Sequence, residues 1–391
     1  MRQPDHPMHL LDATMFWNPS GGVRRYVLAK GRFIEQHGGW RHTIANPTPD
    51  APDQPCIPSV PLPGSHGAYR LPLRRAAAAR VLRAVRPDLI ESADPYRLAW
   101  ASLDAAQALG VPAVAFCHSN LEQLLRHSIG QALGRHAAAA AARLARRYAA
   151  RLYRQFDLVL APSRAMTAHL NEWGVAKAQH QSLGVDSALF HPARADPAWR
   201  QSLGLPAGTR LLAYAGRFAP EKNLPTLVQA VHKLGPRFWL LAIGAGPMPP
   251  RGERVFVQPL VRDPKTLASM IASCDLFVHA GAHETFGLSV LEALACGVPV
   301  VVRAAEGLAE QVDSAVGHGV QAGGAAEFAE AIAAVFEADR ATLAAAARAR
   351  AEASDWSAVL PRLWQHYDRL TDGPVGESVG VKGAPHGAGP A

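Results

Sequence analysis

Short apolar runs alternate along the chain with longer stretches in which apolar positions recur every three or four residues. In the first half the runs MHLLDATMF, HTIANP, DLIESAD, PAVAFCH and DLVLAPS predict strands, and helical patterns fall at 22–37, 97–110, 133–155 and 164–173. In the second half RLLAYAGR, FWLLAIGAG, RVFVQPL, LFVHAG and PVVVRA read as strands, with helices near 223–235, 263–273, 286–296 and 325–337. Strands that are apolar throughout, each followed by a helix, build parallel sheets covered on both faces. Ten such strands fit two sheets of five or six more easily than one open sheet. The pattern breaks at 190–209, FHPARADPAWRQSLGLPAGT, which is polar and proline-bearing. The expected architecture is therefore α/β, with two doubly wound Rossmann-like domains, 1–195 and 196–353, facing each other across a cleft. Ligands of such folds sit beyond the carboxyl ends of the strands. An amphipathic helix at 354–371 is expected to cross back onto the first domain, and the Gly- and Pro-rich 372–391 reads as a disordered tail.

Composition narrows the function. The 391 residues carry a net charge of +8 and a pI near 9.6, and only six of the 40 basic residues are Lys. This leans toward a polyanionic partner such as nucleotide phosphates, anionic lipid or nucleic acid. Cys56, Cys117, Cys274 and Cys296 form no CxxC and read as buried thiols. No run approaches the ~18 apolar residues of a membrane span, and the N-terminus lacks a signal-peptide pattern, so a cytoplasmic location is expected. From Arg126 to Arg154 there are seven Arg and no acid, with Leu144, Tyr148 and Leu152 beside the face of Arg143, Arg147, Arg151 and Arg154. Such a face either lies on anionic lipid at the inner face of the membrane or is merely solvated.

Four segments could carry chemistry. In HETFGLSVLEALACGVPVV (283–301), Glu284 falls in the loop after a strand and Glu292 about two turns down the next helix. Free amides at the helix mouth beside Gly287 could meet an anion or sugar hydroxyls. A capping carboxylate and a solvated glutamate are the plain alternatives. In YAGRFAPEKNLPTLVQAVHKL (214–234), Arg217 ends a strand and Lys222 precedes Asn223, an N-cap residue, with Pro225 in the first turn. Two cations so placed can hold a diphosphate without metal, or can be ordinary surface charges. In NPSGGVRRYVLAKGRF, Gly21 and Gly22 let the loop approach a ligand closely; neither GxGxxG nor a P-loop is present. His118 ends the run PAVAFCH, where it could serve a sugar hydroxyl or be structural. No DxD calls for a metal.

Together these residues resemble the retaining glycosyltransferases of family 4, with the GT-B fold, over about residues 8–370. HETFGLSVLEALACGVPVV matches the family's E-x7-E element; GRFAPEKNL, LGVDSALFHP, NPSGGVRRY and GLAEQVDSAVG, with Glu310 in the acidic position, support it. The resemblance implies that Arg217 and Lys222 hold a donor diphosphate and that Glu292 accepts from the ribose. It implies that Glu284 contacts the transferred sugar, with Phe286, Gly287 and Leu288 offering amides. It places Gly21 and Gly22 on the phosphate and acceptor side, His118 against the sugar, the loop around Leu260 against the base, and Trp356 at the start of the crossing segment. The loops at 61–75 and 91–97 are expected to shape the acceptor site. The family often has Pro-Ser before the first Glu, whereas this chain has Ala282 and His283, which bear on the sugar pocket.

The resulting expectation is a metal-independent retaining hexosyltransferase with no cofactor. It would move mannose from GDP-mannose, or next glucose from UDP-glucose, to a glycan or lipid-linked hydroxyl; nucleic acid is not an expected partner. A GT-B sugar phosphorylase and a non-catalytic nucleotide- or polyanion-binding protein are the alternatives. The presence of both glutamates and both cations counts against the latter.

Overall fold

The computed structural model describes residues 7–17, 21–50, 52, 54–61 and 70–372. Of the expected tail at 372–391 only Asp372 is described, as the last residue of a helix; the rest, most of the loop at 61–75 and the NPS of NPSGG lie outside them. The first half runs β1 (Met8–Ala13), α1 (Gly22–His37), β2 (Trp40–Ala45), β3 (Ser59–Pro61), β4 (Arg70–Pro72), α2 (Arg75–Ala84), β5 (Leu89–Ser92), α3 (Arg97–Leu109), β6 (Ala113–Phe116), α4 (Leu121–Tyr153), β7 (Leu158–Ala161), α5 (Arg164–Glu172) and β8 (Ala178–His180). The second half runs α6 (Pro197–Ser202), β9 (Arg210–Ala215), α7 (Leu224–Leu234), β10 (Phe238–Gly244), β11 (Val255–Pro259), α8 (Pro264–Ala272), β12 (Leu276–His279), α9 (Leu288–Ala295), β13 (Val300–Arg303), α10 (Glu306–Ala309), β14 (Gly317–Val320), α11 (Ala325–Glu337), α12 (Arg340–Glu352) and α13 (Trp356–Asp372).

Two six-stranded sheets result, β2-β1-β5-β6-β7-β8 and β11-β10-β9-β12-β13-β14, and every pairing within them is parallel. The strand order reverses between β1 and β5 in the first sheet and between β9 and β12 in the second. These are the switch points at which a crevice opens beyond the strand ends. The segment around Val185 zips to the chain before α13: Val185 N–H donates to Ser354 O (3.0 Å) and Trp356 N–H to Val185 O (3.1 Å). From there α13 lies against α1 and β2, with Trp364 4.9 Å from Phe33 and Tyr367 6.0 Å from Trp40 between ring centroids. A single apolar core accordingly joins Leu10 and Tyr26 of the first half, Leu211 and Val290 of the second, and Leu360 and Leu363 of α13.

Several elements depart from the pattern reading. The hairpin β3–β4, the edge strands β8 and β14, and helix α12 carry too little apolar periodicity to be read; helix α2, which buries Ala78, Ala79 and Leu82 on one side, lies outside the expected helices. The helix expected at 133–155 begins at Leu121, where Asn120 accepts from Gln123 N–H at 3.1 Å as an N-cap, and it is interrupted at Gly134, φ 79°. Its expected basic face is also smaller. Leu152 turns inward with Ala142, Ala145 and Ala149, and Arg154 donates to Trp173 O and Gly174 O, which fastens the end of α5. Asn223 precedes α7 in a left-handed conformation (φ 51°), and its side chain accepts from the Thr226 hydroxyl at 2.9 Å instead of capping an amide. Cys117, Cys274 and Cys296 are buried thiols, while Cys56 is exposed.

Candidate active site

The second switch point gathers Arg217, Lys222 and Glu284. Gly216 and Arg217 follow β9, the loop carrying Glu284 follows β12, and Lys222 ends a short 3-10 turn at the mouth of α7. Lys222 Nζ donates to Glu284 Oε1, and His279 Nε2 lies 3.1 Å from the same oxygen. His279 Nδ1 accepts from Gly281 N–H (3.2 Å), so its ring proton sits on Nε2 and points at the carboxylate. Burial alone would raise the Glu284 carboxyl. Lys222 and the His279 hydrogen bond outweigh it and hold the group well below its ordinary value of 4.5. Arg217 comes to the same strand ends, but its guanidinium pairs with Glu221 (2.7 Å) and not with either glutamate, while Tyr214 donates to its carbonyl at 2.8 Å.

The loop bearing Glu284 is held from below by the α10 segment. Gly307 N–H donates to Glu284 O (3.0 Å), and Gln311 Nε2 donates to Phe286 O. Gly287 then turns the chain at φ 93°, a left-handed conformation that glycine adopts without strain, and a Cβ there would also collide with the Leu308 side chain. The helix α9 starts immediately after it with no side chain capping its first amides. Glu292, in the second turn, is 2% exposed; one oxygen accepts from Arg25 of α1, and Oε2 has no partner.

Arg25 belongs to the other half of the molecule. Gly21 and Gly22 lead into α1, whose N-terminus also lacks a side-chain cap. A Cβ on Gly22 would lie 2.7 Å from Leu288 Cδ1, so the glycine permits the mouths of α1 and α9 to meet. Two uncapped helix N-termini therefore converge beside Lys222 and Arg25, an arrangement suited to a phosphate-bearing ligand. His118, just past β6, enters the same cleft: its backbone carbonyl accepts from the Thr285 hydroxyl at 2.9 Å. Its ring stacks on Phe116 (centroids 4.3 Å) and meets the edge of Tyr26 (5.4 Å), and its Nε2 is shielded without a partner. Burial first, and Lys30 second, lower the His118 pKa to about 3, so the imidazole is neutral at physiological pH. Leu260 is exposed in the loop after the edge strand β11, at the carboxyl edge of the same parallel sheet.

Below His118 lies a charged cluster that the motifs did not reveal. Asp12 of β1 and Glu91 of β5 are register partners on adjacent strands, and both are buried. Lys30 of α1, 0% exposed, donates to each at 2.6 Å. His42 Nε2 meets the second Asp12 oxygen at 2.6 Å, and Tyr367 of α13 donates to Glu91. The available signal was an acid inside each of two continuous apolar runs, HLLDA and DLIES. His279 and Arg25 were also missed, because each finds its carboxylate only after folding.

Two parallel-sheet domains with charged side chains gathered at their switch points have the architecture of the GT-B class. Residues 195–353 match the family model "Glycosyl transferases group 1", and residues 20–189 match "Glycosyltransferase Family 4". A GDP-mannose-dependent alpha-(1-6)-phosphatidylinositol dimannoside mannosyltransferase of Mycobacterium tuberculosis is 30% identical over 323 residues, 78% of this chain and 81% of that protein. A GDP-mannose-dependent alpha-mannosyltransferase of the same species is 34% identical over 234 residues, 58% of this chain and 59% of that protein. Among solved structures, a sucrose-phosphate synthase from Thermosynechococcus elongatus superposes with a TM-score of 0.74 at 21% identity, covering 93% of this chain and 99% of its own. The chain belongs to glycosyltransferase family 4.

Proposed function

We propose that this glycosyltransferase moves a mannosyl group from GDP-mannose, with retained configuration and without a metal, to a hydroxyl of a glycan or lipid-linked acceptor. The donor is supported by the mannosyltransferase relatives. The observation that carries the reading is the placement of Glu284 with Lys222, and of Glu292, on either side of one uncapped helix mouth. In this reading Glu292 accepts from the ribose hydroxyls, Glu284 from the sugar, and the amides of α9 lie against the diphosphate between them. As the bond from the anomeric carbon to phosphate oxygen breaks, charge grows on the diphosphate, and Lys222, Arg217 and the helix mouths are placed to stabilise it. The acceptor oxygen bonds to the anomeric carbon on the face that the phosphate leaves, and the hydroxyl proton passes to a phosphate oxygen. Neutral His118, with a shielded and unpartnered Nε2, is suited to a sugar hydroxyl. The cationic groups around the diphosphate support metal independence.

A thermal-shift panel of nucleotide sugars, followed by NMR of the product from the strongest binder, tests this. GDP-mannose is expected to stabilise most, UDP-glucose less, with GDP released and the donor's anomeric configuration kept in the presence of a chelator. An inverted product, loss of activity on chelation, or turnover that depends on inorganic phosphate overturns it.

Peripheral contact with anionic membrane belongs to the same reading. Leu144 is 64% exposed beside Tyr148, with Arg143, Arg147 and Arg151 around them on α4. Among the described residues no helix is long and apolar enough to cross a membrane.

A further inference from the structure

The cleft holds its cations in pairs. Lys222 is matched to Glu284, Arg217 to Glu221 and Arg25 to Glu292. A nucleoside diphosphate sugar makes two demands on such a cleft at once. Its ribose needs the Glu292 carboxylate as an acceptor, and its diphosphate needs cations. Arg25 stands between the two demands. It sits in the first turn of α1, beside Gly22, where that uncapped helix mouth touches Leu288 at the mouth of α9. Burial lowers its pKa to about 10, so it remains a cation at neutral pH. A guanidinium driven off Glu292 by ribose hydroxyls would be left partly buried, its side chain 26% exposed, and unpaired unless an anion replaced the carboxylate.

We propose that Arg25 is a donor-binding cation supplied by the first domain, which changes partner from Glu292 to the diphosphate when a nucleotide sugar enters. One exchange then satisfies both ends of the ligand. The ribose hydroxyls donate to both oxygens of Glu292, including the Oε2 that now has no partner. The fork of Arg25 turns to phosphate oxygens, for which a bidentate guanidinium is well matched. The first domain thereby acquires a contact that depends on the donor's charge and not on its sugar. The proposal rests on the donor reading above.

The test separates phosphate from ribose. Affinities of GDP and guanosine are measured by competition against a fluorescent GDP analogue for the wild type, R25M, R25K and E292Q, with UDP and uridine run beside them. In R25M the ratio of diphosphate to nucleoside affinity is expected to fall roughly tenfold or more, the range carried by a charge-assisted hydrogen bond, while guanosine itself binds no more weakly. In R25K, which keeps the charge without the fork, the ratio falls less; this variant bears the test if R25M does not fold. In E292Q guanosine weakens while the ratio holds or rises. An Arg25 that only wedges the two helices apart or together moves both affinities by one factor and leaves the ratio unchanged in R25M and R25K, which overturns the exchange. If the wild type binds neither GDP nor UDP, the donor reading fails and the exchange with it.

Discussion

Glu284 shows how much of the site rests on single atoms. One of its oxygens meets both Lys222 and His279, and this pairing keeps a shielded carboxyl ionised against the pull of burial. Removing Lys222 leaves Glu284 with His279 alone and takes a cation from the proposed diphosphate site. Lys222→Ala is therefore expected to lower kcat by roughly a hundredfold or more while the far-UV circular dichroism of the folded protein is unchanged; wild-type turnover in this variant contradicts the assignment. The same pair makes a pH prediction. The folded pKa of Glu284 lies below its ordinary value of 4.5, so the pair stabilises fully above that pH and loses its contribution as pH falls from there toward the folded value. The difference in Tm between wild type and Glu284→Gln should shrink below about pH 4.5; a constant difference down to pH 3 sinks the pairing. These residues were legible because Glu284, Gly287 and Glu292 lie in one stretch and Lys222 at a recognisable helix start. His279 was not, since a histidine ending an apolar strand gives no sign of which carboxylate it will meet.

Helix α13 is tied to the first sheet by charge as well as by rings. Asp12 and Glu91 face each other across β1 and β5, and Lys30 is the cation that makes their joint burial tolerable. Lys30→Met leaves both carboxylates without it and should cost about 3–5 kcal/mol in denaturant unfolding. Tyr367→Phe removes one donor to Glu91 and should cost less, about 1.5–3 kcal/mol; equal losses in the two variants would show that α13 is as important as the cation. A second tie crosses the cleft: Glu310 accepts from the first amides of α5, Arg164 N–H at 3.1 Å and Ala165 N–H at 2.9 Å. At this scale the sequence was read well where strands are apolar throughout and poorly where they are not. The strand AQH at 178–180 and the strand GHGV at 317–320 have no apolar run to announce them, and they exist because a neighbouring strand offers its free edge. Helix α12, RATLAAAARARAE, is rich in Ala, so its propensity is strong and its periodicity weak.

The two halves meet where the chemistry is proposed. Gly22 touches Leu288, Arg25 holds Glu292, Thr285 donates to the carbonyl of His118, and Glu310 caps α5. Cleft contacts of this kind pair residues more than a hundred positions apart, which explains why the two-domain outline could be read from the chain while the seam between the domains could not. The exposed basic and apolar side chains of α4 give a separate expectation for the whole molecule. It should sediment with vesicles containing anionic lipid at low salt and be released as ionic strength rises; equal binding to neutral vesicles contradicts an electrostatic contact. The account stands most directly on a calorimetric titration of the intact protein with GDP-mannose and UDP-glucose. It predicts saturable binding of at least one of them, one per chain, clearly weakened by Glu292→Ala and by Lys222→Ala. Absence of binding by both at millimolar concentration, or the same affinity in all three proteins, would contradict it.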